Sequence, residues 1–339
     1  MISAQGRQIS VIMPAYNAAL LISDVLTPLL QMRESGELIE VIVVDDHSED
    51  DTFLLARQTG ATVVRTKRNC GPGAARNHAA TIARGDILWF VDSDVLVAKE
   101  SANQVWAAFN SQDVDAVFGS YDSKPSGKPW FSRYKNLSHH FYHQRANRES
   151  STFWAGCGAI RADVFRKLGG FDVETYRVPS IEDIELGYRI KRAGGRILSM
   201  PDLQGKHLKV WTLKNGIFTD IFRRALPWSR LMMSYGTIEN DLNVAWDERL
   251  KAVISVLFLS SAIIATFNIT LLPFFIVFGV ITVWCNVEFV KFFFRSGGFW
   301  FALFALSFHQ FYYTYSSFAF AWCWVERHIF RVKARRHVP

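Results

Sequence analysis

The sequence predicts an α/β protein, a twisted sheet of mainly parallel strands covered by helices, followed by a tail of hydrophobic membrane helices. Three observations predict it. Short β-branched runs alternate with helix-period stretches through the first part of the chain, three of those runs end in polar signatures, and charges that are plentiful up to Lys251 become scarce between there and Val325.

Residues 9–13 and 40–44 are apolar and β-branched and stop at Pro14 and at Asp45-Asp46, as buried strands do. Residues 18–33 between them have helical spacing. A strand at 61–65, a helix at 73–83 and a strand at 87–91 continue the βαβα alternation, which calls for a parallel sheet with helices on its faces. A mixed region follows from 114 to 200, with a strand at 116–121, a helix at 184–193 stopped by Gly194-Gly195, and a strand at 196–200. Ligands of open α/β sheets bind beyond the carboxyl ends of the strands. Pro14-Ala15-Tyr16-Asn17, Asp45-Asp46-His47-Ser48 and Asp92-Ser93-Asp94 all stand at such ends, so they are expected to converge on one crevice.

The 339 residues carry a net charge of +7, with basic clusters at 133–148 and 327–337. Beside an apolar tail, such clusters read as attraction to an anionic lipid leaflet, roughly 1 kcal/mol per cation, rather than to nucleic acid. The 4 cysteines are isolated, with neither disulfide nor metal spacing. Residues 1–10 are polar and lack the apolar core of a secretory signal, so the head is expected to stay cytoplasmic. The tail offers apolar segments at 252–267, 269–287 and 299–325, near or above the roughly 17–25 residues that span a bilayer. Lys251, Lys291 and Arg295 are placed on the cytoplasmic side by the positive-inside rule, which makes the first two segments a hairpin. The third reads either as a span or as an interfacial helix. The expected divisions are a catalytic domain at 1–212, amphipathic interfacial helices at 213–250, and a multi-pass membrane region with a basic end at 251–339.

Asp92 and Asp94 leave one strand end together, where a turn can aim both carboxylates at a single point. Hard cations such as Mg²⁺ or Mn²⁺ bridge one or two carboxylates to substrate phosphates. An Asp-x-Asp turn alone is also a common solvated surface feature. Upstream, Gly71-Pro72-Gly73 opens a helix whose N-terminus favours anions. Arg76 on that helix reads either as a phosphate partner or as a structural cation. Asp45 and Asp46 by themselves read equally well as caps of the next helix, with Ser48.

Taken in order, Val43-Val44-Asp45-Asp46-His47-Ser48, Gly71-Pro72-Gly73-Ala74-Ala75-Arg76-Asn77, Asp92-Ser93-Asp94 and Ser180-Ile181-Glu182-Asp183 resemble the glycosyltransferase family 2 enzymes over about residues 9–207. The resemblance implies the GT-A fold, a Rossmann-like mixed sheet. It implies that Pro14, Tyr16, Asn17, Asp45, Asp46, Arg76 and Ser93 line the nucleotide, and that Asp92 and Asp94 hold a metal and the diphosphate. It further implies that Trp154 and Gly156 form a floor near the acceptor, and that Asp183, beside Glu182, is the catalytic base. His207 matches loosely a late histidine that completes the metal site in some members. The bland reading of Glu182 and Asp183 is negative charge complementing a helix N-terminus.

Residues 129–143 and 217–234 mix aromatic with basic side chains, as helices lying at a membrane surface do, although such helices can equally pack on the catalytic domain and bury their aromatics; the surface role is the one expected. In the second stretch Arg223, Arg224 and Trp228 are candidates for the acceptor region. The glutamine of the Gln-x-x-Arg-Trp element of processive family members is missing, which argues against polymer synthesis. The resulting expectation is transfer of one sugar from a nucleotide-diphosphate donor, a UDP-sugar by preference, to a lipid-associated acceptor such as a polyprenyl phosphate or glycolipid. Two other readings are a sugar-nucleotide nucleotidyltransferase, for which a basic N-terminal loop is lacking, and a non-catalytic membrane scaffold, which would have no need of Asp92, Asp94 and Asp183 together. Donor sugar, acceptor and oligomeric state are not written in the sequence.

Overall fold

The computed structural model describes residues 8–111 and 113–330. Residues 1–7, part of the stretch used to read the head as cytoplasmic, and the basic residues from 331 onward lie outside the described residues. The chain divides into two compact units, Met1–Val210 and Trp211–Pro339.

In the first unit β1 (Ile9–Ala15), α1 (Ile22–Glu34), β2 (Glu40–Asp45), α2 (Thr52–Gln58), β3 (Thr62–Arg65), α3 (Pro72–Ile82) and β4 (Ile87–Val91) follow in alternation. Then come β5 (Val95–Val97), α4 (Ser101–Ser111), β6 (Ala116–Tyr121), α5 (Trp130–Arg145), β7 (Glu149–Ser150), β8 (Cys157–Arg161), α6 (Ala162–Lys167), α7 (Glu182–Arg192) and β9 (Ile197–His207). Among the described residues these strands make one mixed sheet in the order β3-β2-β1-β4-β8-β6-β9-β5, with β7 added beside β9. The half from β3 to β4 is parallel, and β8 enters antiparallel between β4 and β6.

Successive side chains of a strand point to opposite faces. Val11, Met13, Val41, Val43, Trp89 and Val91 accordingly join one core layer, and Ile12, Ile42, Val44, Leu88 and Phe90 join the other. Trp89 and Phe90 are both wholly buried, one per layer, and truncating either to Ala would cost about 3–5 kcal/mol. The chain goes from β1 to β2 and β3 on one side and returns to β4 on the other, so the β1/β4 boundary is the switch point of the sheet. Pairing of β1 with β4 stops at Ile12↔Phe90, whereas pairing with β2 runs on to Ala15↔Asp45. Pro14, which has no N–H to give, sits past the last β4 partner, where the two strands part and a crevice opens.

Three expectations change. The helix expected at 18–33 begins at Ile22, because the N–H groups of Asn17, Ala18 and Ala19 bind Ser48, Thr52 and Asp50 instead of entering a helix. The strand expected at 196–200 runs through Pro201 to His207, since its register on β6 shifts between Phe118 and Ser120 and the irregularity accommodates the proline. Residues 129–143 are not an interfacial helix: α5 buries Phe131, Tyr134, Leu137 and Phe141 and packs on β6.

The second unit begins with α8 (Leu213–Phe218), a π-helical turn at Thr219–Ala225 and α9 (Leu226–Tyr235). α10 (Trp246–Phe267), α11 (Leu272–Cys285) and α12 (Val287–His328) follow. α10 and α12 are long and apolar enough to cross a membrane, and α11 is a shorter apolar helix. Ile263, Phe267, Val280, Trp284, Phe304 and Phe318 all point outward. Lys291 and Arg295 lie in the first part of α12, whose helical backbone is broken at Gly298 (left-handed φ of 79°), so they stand, as expected, between α11 and the apolar run from Phe299.

Candidate active site

The loops after β1 and β2 are clamped to each other. The Asn17 N–H donates to Ser48 Oγ at 3.0 Å, and the Glu49 N–H donates to Asn17 Oδ1 at 2.9 Å. Tyr16 stands at the rim, 45% exposed. Asp45 at the end of β2 is buried, with its carboxylate 3.0 Å from Arg65 Nε on the neighbouring strand. Arg65 was not legible as a site residue, since its one signal is its register opposite Asp45.

Asp46, assigned by resemblance to the nucleotide, is committed to the chain itself. Its carboxylate accepts from the Cys70 N–H at 2.9 Å, the Gly71 N–H at 2.7 Å and the Thr66 hydroxyl at 3.0 Å. That triple anchor shapes the glycine loop leading into α3. Gly71 has φ of 85°, and a Cβ there would stand 3.1 Å from the Arg177 carbonyl oxygen, so no other residue suits the position.

The acidic groups meet around Arg76. From the buried face of α3 its Nη2 lies 2.5 Å from Asp92 Oδ1, its Nη1 lies 3.4 Å from Glu182 Oε1, and its guanidinium covers the Phe171 ring at 5.5 Å. Arg76 is thus paired inside the protein. Asp183 joins through the entry to β8, where the Ala155 N–H donates to Asp183 Oδ2 at 3.0 Å and the next residue, Gly156, accepts from the Asp92 N–H at 3.1 Å. Two adjacent backbone groups therefore tie the carboxylates of distant segments to one place. Ser93 lies in the turn between Asp92 and Asp94.

Burial, with the charges of Asp94 and Asp183, pushes the Asp92 carboxyl up against the opposing pull of Arg76. Burial and the charge of Asp183 push Glu182 up to about 7, again against Arg76. Asp94 goes the other way: burial opposes its charge, but the hydrogen bond and charge of His207, with Lys209, hold it below the usual carboxylate range. Asp92, Glu182 and Asp183 thus share one guanidinium, while Asp94 leans on His207 and Lys209. That excess of enclosed negative charge attracts a further cation.

Among the described residues no three His, Cys, Asp or Glu side chains form a metal-binding group on their own. The arrangement fits an ion that completes its shell elsewhere. Asp94 Oδ2 and His207 Nε2 lie 3.5 Å apart, Asp92 is on the same turn, and phosphate oxygens of a ligand would supply the rest. His207, the last residue of β9, is 4% exposed and stacks on the Tyr121 ring at 4.1 Å and 6°. Tyr121 also meets the edge of Trp154 at 4.8 Å. A Cβ at Gly156 would lie 2.5 Å from the Trp154 indole, so the indole can lie against this backbone only because residue 156 is glycine.

Arg223, Arg224 and Trp228 belong to the second unit. Arg223 covers Phe218 at 5.7 Å, and Trp228 is buried among the helices of its own unit.

A switch-point crevice lined by an Asp-x-Asp turn and a second acidic pair, on this mixed sheet, defines the GT-A class of nucleotide-sugar transferases. Residues 10–169 match the model of glycosyl transferase family 2, and the chain carries a domain of that family. It is similar to a poly(ribitol-phosphate) beta-glucosyltransferase of Bacillus spizizenii, 35% identical over 31% of this chain and 18% of that one. It is similar also to a pre-mycofactocin glycosyltransferase of Mycobacterium tuberculosis, 30% identical over 58% of this chain and 41% of that one. The chain thus spans less than half of either relative. In fold it resembles a mannosyltransferase from Pyrobaculum calidifontis solved with GDP-mannose and Mn²⁺, with a TM-score of 0.55 and 19% identity over 94% of this chain and 88% of that one.

Proposed function

We propose that the protein transfers a single sugar from a nucleotide-diphosphate donor, a UDP-sugar by preference, to a lipid-associated acceptor such as a polyprenyl phosphate or glycolipid, with inversion and with Mg²⁺ or Mn²⁺ as cofactor. The observation that carries this reading is the meeting of Asp183 with Asp92 and Arg76 through Ala155 and Gly156.

The donor's base and ribose enter at the strand ends beside Tyr16, Asp45 and the Asn17–Ser48 clamp, and its diphosphate faces the Asp92–Asp94 turn. Asp92, Asp94 and His207 would hold a divalent cation, which would supply positive charge against the diphosphate leaving group. Asp183 accepts the proton of the acceptor hydroxyl. A new bond forms from that oxygen to the anomeric carbon as the bond to the diphosphate breaks on the opposite face, and the nucleoside diphosphate departs with the electron pair. An acceptor that is already a phosphate would need Asp183 less.

The membrane part of the reading rests on α10 and α12 and their outward apolar side chains, with Lys251, Lys291 and Arg295 assigned to the cytoplasmic side. Acceptors named for the relatives, poly(ribitol-phosphate) and pre-mycofactocin, vary too widely to name the one used here. Nucleic acid is not the expected partner, and the oligomeric state stays open. The test is thermal stabilisation of the full chain by a panel of UDP-, GDP- and dTDP-sugars with and without Mn²⁺. One sugar nucleotide should raise the melting temperature only with the metal, and a flat panel would overturn the donor reading. Pyrophosphate release from a sugar 1-phosphate and NTP would favour the nucleotidyltransferase instead.

A further inference from the structure

We propose that Asn136, in the middle of α5, is a positioning residue that orients His207 as a ligand for the divalent cation; this rests on the metal reading above. Asn136 is 2% exposed, and its Oδ1 lies 2.7 Å from His207 Nδ1. Its Nδ2 donates to the Lys209 carbonyl at 3.2 Å. That second bond fixes the amide, because reversing it would set two carbonyl oxygens against each other and an amino group against the imidazole. Oδ1 therefore accepts from a Nδ1–H, and in the neutral ring the lone pair is left on Nε2.

Nε2 points at Asp94 Oδ2, 3.5 Å away. With Nδ1–H given to Asn136, Nε2 is the ring nitrogen turned to Asp94, the side on which a cation would bind. Tyr121, parallel to the imidazole at 4.1 Å, keeps the ring in that plane, and the Tyr121 carbonyl oxygen is held in turn by His140 of the same helix at 2.6 Å. Both bonds of the buried Asn136 amide are costly to lose, so they restrain the site. Partners on the far nitrogen of a ligating histidine govern its tautomer and basicity, and losing one weakens metal affinity by about 10–100-fold. In this way α5, whose aromatic and basic residues suggest a surface helix, serves the crevice from behind.

The test measures Mn²⁺ binding to the full chain in detergent, with UDP present, from the electron paramagnetic resonance signal of free Mn²⁺. Asn136→Leu should weaken binding by about 10–100-fold, and Asn136→Asp, which keeps an acceptor on Nδ1–H, should restore most of it. In a His207→Ala background Asn136→Leu should produce no further loss. Binding that is normal in the wild type, lost in Asp94→Ala, and unchanged in Asn136→Leu would overturn this proposal alone. Absence of Mn²⁺ binding by the wild type would overturn the metal reading and this one with it. Long-range ¹H–¹⁵N spectra of the metal-free wild type, with His207 assigned by its absence in His207→Gln, give a second measure that does not use an Asn136 variant. A proton on Nδ1 is expected, and an Nδ1 without one would refute the proposal.

Discussion

The Arg76 guanidinium joins Asp92 and Glu182, residues from the fourth strand and the seventh helix, at 2.5 Å and 3.4 Å from a position that is almost solvent-free. A charge buried this way is costly to orphan. Arg76→Ala leaves Asp92 and Glu182 facing Asp183 without a counter-ion, and about 3–5 kcal/mol of stability should go with it. Arg76→Lys should recover only part of this, since one ammonium cannot reproduce the fork that meets two carboxylates. Chemical denaturation of the three proteins in detergent checks the order, and an Arg76→Ala protein as stable as the wild type would mean that the cluster is held together some other way.

Glu182 gives the cluster a pH signature. Its carboxyl, ordinarily near 4.5, is pushed up to about 7 in the folded protein. Between those values the folded state holds a proton that the unfolded state has released, so the contribution of Glu182 to stability is greatest below 4.5 and declines as pH rises to about 7. Glu182→Gln removes that dependence. Melting temperature should therefore fall with pH more steeply in the wild type than in Glu182→Gln across this window, and run parallel above it. Parallel curves throughout would place the titrating proton on another member of the cluster.

Asp94 and Asp183 separate the metal from the base. Asp94→Ala should abolish metal-dependent turnover of the sugar nucleotide, and with it the Mn²⁺-dependent part of any thermal shift, while membrane association is unaffected. Asp183→Asn should bind donor as the wild type does and lose transfer to a hydroxyl acceptor by at least the roughly 10²–10⁴-fold ascribed to a positioned base. Full transfer by Asp183→Asn would point to a phosphate acceptor or to a different base.

Much of the crevice could be read from strand-end residues because the sheet's period and its terminal polar groups are local features. Pro14, Asp45 and Asp92 announce themselves within a few residues of an apolar run. What stayed hidden is set by pairing between distant segments. Arg65 matters through its register opposite Asp45, and Tyr121 and Asn136 matter because β9 continues past Pro201 to bring His207 beside them. The composition of α5 pointed to a membrane surface, since a mixture of aromatic and basic residues suits a lipid interface and a protein interior alike, and only the buried positions Phe131, Tyr134, Leu137 and Phe141 distinguish the two. Lys291 and Arg295, by contrast, do stand between α11 and the helical stretch that resumes after the break at Gly298.

Asp46 is the residue whose role shifts most between resemblance and structure, and it offers a clean discrimination. A residue that reads the nucleotide base should affect donor affinity and leave the apo protein alone. A residue that accepts from the Cys70 and Gly71 N–H groups should loosen the 66–71 loop before any ligand arrives. Asp46→Ala leaves those donors without their acceptor, at a cost of about 1–3 kcal/mol for each that stays buried. Hydrogen exchange of the apo protein should accelerate at Cys70 and Gly71 and remain unchanged at β4, whose hydrogen bonds are independent of the loop. Donor affinity should fall as a consequence, because the displaced loop leads directly into α3 and its Arg76. Weaker donor binding with unaltered exchange at Cys70 and Gly71 would return Asp46 to the nucleotide pocket and leave the loop's shape to Gly71 and Pro72.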